Sequence, residues 1–166
     1  QSRIFEEIVM RAAIPYKVVG GLRFYERKEV KDLLAYLRVL ANPNDEVSLR
    51  RVINFPKRGI GDRALEEVEI FSQAQGISFW HALLRVSEAS AVPNKAAQSI
   101  GQFTSMLTAL AVLVEAKTKP SVIIEAVLEQ SGLLTELEAS TDPQDEVRVE
   151  NLKELVSASM EYEERP

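Results

Sequence analysis

Apolar residues recur along this chain at the spacing of helices. Between Lys28 and Leu40, the residues Val30, Leu33, Leu34, Leu37 and Leu40 fall at i, i+3, i+4, i+7 and i+10. That spacing gathers them on one helix face, which Asn42-Pro43 closes. Ile4, Phe5, Ile8 and Val9 make a shorter stripe over residues 2–13, ended by Pro15, and Tyr16 to Val19 read as a short strand before the Gly20-Gly21 turn. A third helix is expected from about Glu46 to Asn54, stopped by Phe55-Pro56. After a tight loop, Lys57 to Gly61, the pattern predicts a helix from Asp62 to about Gln75, which Gly76 ends, and another from Ser78 through Ser87. Longer helices are expected at about Asn94–Ala116, Ser121–Gln130 and Glu146–Tyr162, separated by Pro120, Gly132 and the Ser140–Pro143 turn. The expected fold class is therefore all-α, with at most a short strand pair near the N-terminus.

With 166 residues, 46% hydrophobic and 27% charged, the chain suits one soluble domain with an ordinary core. Its apolar runs read as too short for a membrane span, and no stretch resembles a signal peptide. Having no cysteine, it excludes disulfide and thiolate chemistry and is consistent with a cytoplasmic setting. The chain opens at Gln1, inside what reads as a helix, which suits a piece of a longer protein. The net charge of -5 hides an uneven distribution. Residues 1–63 carry 13 basic against 8 acidic side chains, and residues 64–166 carry 7 against 17. A polyanion responds to a local patch within a Debye length of about 8–10 Å, so the basic third is where nucleic acid would be met.

Catalytic and metal motifs are missing from the sequence. It has no GxxxxGK[ST] phosphate loop and no glycine-rich nucleotide fingerprint. The single histidine, His81, has no second His or Cys to complete a zinc site, and beside Trp80 it reads as a partly buried structural residue. No Ser–His–Asp arrangement can be built around it. Catalytic residues are thus expected to be none, and metal ligands none.

One segment has a specific physical use. Pro56-Lys57-Arg58-Gly59-Ile60-Gly61 joins two helices in the manner of a helix-hairpin-helix element. Glycines there permit backbone angles closed to other residues and let a phosphate approach with no Cβ in the way. The following helix would present unpaired N–H groups and the positive end of its dipole to the anion. Ile60 is expected to point inward and lock the helices together, with Lys57, Arg58 and Arg63 as flanking cations. Gly20 to Asp32 form a second segment, in which Phe24 and Tyr25 are interleaved with Arg23, Arg27 and Lys28. That pattern suits stacking on bases and pairing with phosphates, or aromatics packed beneath the next helix.

The stretches IPYKVVGGLRFYERKEVKDLLAYLRVLANPND and INFPKRGIGDR closely resemble superfamily 1 DNA helicases of the UvrD/PcrA/Rep group, and SGLLTELEASTDPQDEVRVENLKELVS continues the likeness more loosely. The resemblance implies residues 1–20 as the tail of motor subdomain 2A and residues 21–166 as a helical 2B-like accessory subdomain. It implies that Gly59, Ile60 and Gly61, with Lys57, Arg58 and Arg63, contact duplex DNA ahead of the fork. Arg27 would lie near the 2A/2B junction, by the departing strand. ATP and Mg would belong to the parent helicase, outside this chain, which by itself would hold no cofactor and be catalytically silent.

The implied partners are duplex DNA, bound without regard to sequence, the remaining helicase subdomains, and DNA-repair proteins. A membrane is not among them. Two other readings follow from the residues. The acidic helices after Ala64 suit a regulatory, protein-contacting module of the same helicase. A base-excision glycosylase would need a catalytic Lys or Asp shortly after the hairpin, where an amphipathic helix is read instead.

Overall fold

The computed structural model describes residues 26–164, and these form eight α-helices and one short 3-10 helix, with no strand among the described residues. In chain order the helices are α1 (Lys28–Ala41), α2 (Glu46–Val52), α3 (Asp62–Gln75), α4 (Phe79–Leu84), α5 (Asn94–Glu115), α6 (Pro120–Gln130), α7 (Leu133–Ala139) and α8 (Pro143–Glu163), with the 3-10 turn at Val86–Glu88. The all-α expectation holds. The helix expected over residues 2–13, the strand at Tyr16–Val19, the aromatics Phe24 and Tyr25, and the 1–20 segment lie outside the described residues.

Helix α1 is the axis of the domain, packing on α2, α5, α6 and α8. Its stripe was expected on one face, yet burial extends nearly all round, taking in Tyr36, Val39 and even Glu29 and Asp32. Exposure is left to a narrow line that includes Lys28, Lys31 and Arg38. Two carboxylates survive at such depth because each has partners. Asp32 is paired with Lys28 at 3.3 Å and with Arg51 at 3.0 Å. Glu29 accepts from Asn151 Nδ2 at 2.7 Å.

Helix boundaries follow local chemistry. Asp45 and Ser78 accept from Ser48 and His81 backbone N–H groups and so start α2 and α4. Pro120 and Pro143 occupy first-turn positions of α6 and α8, where a missing N–H costs nothing. Gly76, at φ 65°, ends α3 in the left-handed conformation that glycine adopts without a Cβ penalty.

Helices α3 and α4 pack on each other, and α4 packs against α2 and α5. The two helices flanking the Lys57–Gly61 loop therefore do not form a main packing pair. They are joined by an Arg50–Glu69 ion pair and by Ile60, which is 2% exposed and sits in the shared core. His81 is exposed rather than partly buried, and its Nδ1 lies 2.7 Å from Ser78 Oγ at the α4 cap.

Helix α5 is long and apolar enough to cross a membrane by length and composition alone. In this domain Ile100, Phe103, Leu107 and Leu110 bury its inner side in the core, and Gln98, Gln102, Ser105 and Thr108 are exposed.

Candidate nucleic-acid interface

The loop between α2 and α3 is shaped by side chains on both sides of it. Asn54 Nδ2 donates to the Ile60 carbonyl at 2.5 Å, and Asn54 Oδ1 accepts from the Ile60 N–H at 3.2 Å. This two-way clasp closes the loop and turns the Ile60 side chain into the core. Gly59 takes φ 74°, a conformation that L side chains rarely adopt. Gly61 stands at the N-cap of α3 with φ −76° and ψ 166°, ordinary extended backbone, and provides no side-chain cap. The first-turn N–H groups of α3 thus open outward at the positive end of the helix dipole. A Cβ placed on either glycine would meet nothing within 4 Å, so the space in front of the loop is open.

Lys57, Gly59, Gly61 and Arg63 are exposed around this opening, and no described residue pairs with the Lys57 or Arg63 side chain. An open groove of about 560 Å³ runs along the loop, lined by Asn54, Phe55, Lys57, Gly59, Ile60, Gly61 and Glu136. Glu136 comes from α7, which the sequence reading did not anticipate. Much of the basic excess in the N-terminal third is spent elsewhere. Arg50 pairs with Glu46 and Glu69, and Arg51 and Lys28 pair with Asp32.

Arg58 is placed differently from its neighbours. Its Nη1 donates to the carbonyls of Val52 (2.8 Å), Ile53 (3.0 Å) and Pro56 (3.2 Å), and its Nη2 donates to Tyr36 Oη (2.7 Å) and the Ser131 carbonyl (3.2 Å). The guanidinium lies 4.9 Å from the Phe103 ring centroid. Its forked donors are thus directed into the protein, where the expectation had them facing a phosphate. Apart from Tyr36 Oη these acceptors are backbone carbonyls, which any residue type supplies, and Tyr36, Phe103 and Ser131 are far from Arg58 in sequence, so the residue types nearby do not reveal this setting.

Arg27 precedes α1, and its Nη1 donates to Asn151 Oδ1 on α8 at 2.7 Å. It lines a separate groove with Lys28, Glu29, Gln144, Val147, Arg148 and Asn151. The structure therefore brings Lys57, Gly59, Ile60, Gly61 and Arg63 together and sets Arg27 apart from them. Among the described residues there is no cluster of three or more His, Asp or Glu able to hold a metal ion.

Residues 1–166 match the model of the UvrD-like helicase C-terminal domain family. The chain belongs to that family. Relatives of this UvrD-like domain include the ATP-dependent DNA helicase UvrD1 of Mycobacterium tuberculosis, 49% identical over 164 residues, 97% of this chain and 21% of the relative. DNA helicase II of Escherichia coli is 39% identical over 163 residues, covering 98% and 22%. The ATP-dependent DNA helicase PcrA of Staphylococcus epidermidis is 41% identical over 164 residues, covering 99% and 22%. The UvrD-like domain thus spans about a fifth of the length of these relatives.

Proposed function

We propose that this chain is the 2B-type accessory domain of an ATP-dependent DNA helicase, residues 21–166, preceded by a 2A remnant at 1–20. In this reading it holds duplex DNA by its phosphates ahead of the fork. The observation that carries it is the exposed pair Lys57 and Arg63, with which no described residue pairs, on either side of the open α3 N-terminus at Gly59-Ile60-Gly61. Backbone N–H groups and lysine charge recognise phosphate and carry no base code, so binding is sequence-independent. ATP and Mg are assigned to the rest of the parent, and Arg27 to the junction with it. Asp62 and Glu136 lie at the same opening, so affinity is modest, on the order of 10⁻⁴–10⁻⁶ M at physiological salt.

Fluorescence anisotropy on two unrelated duplexes across a salt series tests this. Lys57→Ala is expected to weaken both equally and to lower the salt slope by about one. Unchanged affinity and slope in a Lys57→Ala/Arg63→Ala variant would reduce the loop to a structural turn. The excess of 17 acidic over 7 basic residues after Arg63 favours, as a second reading, a protein-contacting role for the later helices. Binding to a partner protein that survives high salt and ignores DNA would mark it.

A further inference from the structure

We infer that Arg58 is a positioning residue for the phosphate-facing loop, acting by capping two helix C-termini at once. The inference rests on the proposed DNA role of the loop and assigns Arg58 a part that its charge alone does not suggest.

Helix ends leave carbonyls without intrahelical partners, and a cation there meets the negative end of the dipole. Val52 is the last residue of α2 and Ile53 its C-cap, while Ser131 is the C-cap of α6. Carbonyls of all three accept from the one guanidinium. The Pro56 carbonyl, inside the loop, accepts from it as well, and Tyr36 and Phe103 bring in α1 and α5. Arg58 therefore fixes the start of the loop to α1, α2, α5 and α6, and the loop's exposed backbone inherits that position. Lysine cannot take over this work, because a single ammonium cannot span acceptors that a planar fork of five N–H donors reaches together.

The test compares wild type, Arg58→Lys, Arg58→Gln and Lys57→Ala in the full 166-residue chain. Native-state amide exchange is measured without DNA, and anisotropy with a blunt fluorescent duplex. For both Arg58 variants, exchange of the Ile60 N–H, which Asn54 Oδ1 holds at 3.2 Å, is expected to quicken about tenfold while amides of α5 and α8 keep their rates. Duplex affinity should fall about tenfold with the salt slope unchanged, since no phosphate contact is lost, whereas Lys57→Ala lowers the slope by about one. A slope that falls in Arg58→Lys or Arg58→Gln would show direct phosphate contact and overturn the inference. So would wild-type exchange at the loop in both variants, or acceleration spread evenly over the whole domain. If the wild-type chain binds no duplex, the DNA reading fails while the exchange comparison still decides the positioning.

Discussion

Arg58 and Tyr36 hold one another in place, with Nη2 donating to the phenolic oxygen at 2.7 Å and that hydroxyl donating onward to the Phe55 carbonyl. Tyr36 is fully buried, and burial raises its pKa above the ordinary 10.0, opposed in part by the Arg58 charge. Tyr36→Phe is expected to cost about 1–2 kcal/mol, because Arg58 loses an acceptor and the Phe55 carbonyl a donor. The sign with pH follows from the raised value. Stability from Tyr36 is intact below pH 10 and is lost as pH rises through the folded-state value. Urea unfolding of both proteins across this range should show their difference narrowing above pH 10. A gap that widened there would contradict the burial argument.

Gly59 and Gly61 are expected to separate fold from binding. At φ 74°, Gly59→Ala should destabilise the domain by about 1–2 kcal/mol. Gly61→Ala, on ordinary backbone with free space around it, should fall within about 0.5 kcal/mol of wild type. Its new methyl would nevertheless stand before the α3 N–H groups and weaken duplex binding. Thermal melts and anisotropy on the same samples check the pair, and equal destabilisation by the two would refute the distinction.

Asn54→Ala removes both halves of the clasp on Ile60 and should cost about 1–3 kcal/mol, since it leaves backbone groups of a buried residue unpaired. Asn54→Asp keeps the acceptor for the Ile60 N–H but sets a carboxylate oxygen against the Ile60 carbonyl, so a loss at least as large as that of Asn54→Ala is expected. Denaturant midpoints order the three proteins, and an Asp variant as stable as wild type would argue against the clasp.

Glu136 lines the groove beside Lys57 and the two glycines, where it opposes an approaching phosphate. Glu136→Gln is expected to tighten duplex binding by about two- to fivefold at low salt, with the gain fading as salt screens the charge. Weaker binding in this variant would place the DNA path elsewhere.

Much of the helical frame was legible because its signals are local. Asp62–Gln75 lies between two glycines, and α1 shows its apolar spacing over about three turns. Helix α7 escaped detection since LLTELEA is too short for a period to emerge, and Gly132 before it read simply as a break. The loop chemistry was visible as residue types, and Ile60 was expected inward. The opposite fates of Lys57 and Arg58 were not visible. Adjacent cations look alike in sequence, and the acceptors that draw one of them inward come from α1, α2 and the end of α6. Asn54 carried a weaker signal, as a turn-forming residue just ahead of Phe-Pro.

The Ser131 carbonyl bears on the loop from 73 positions beyond Arg58 in the chain. Timing follows from that distance. During synthesis α1 to α5 can emerge and begin to associate before the residue that completes the setting of Arg58 exists. A nascent chain ending at Gln130 would hold most of the helices and an unset loop. Trypsin should cut it after Lys57 or Arg58 under conditions in which the complete chain resists, and equal resistance would show that the loop matures early.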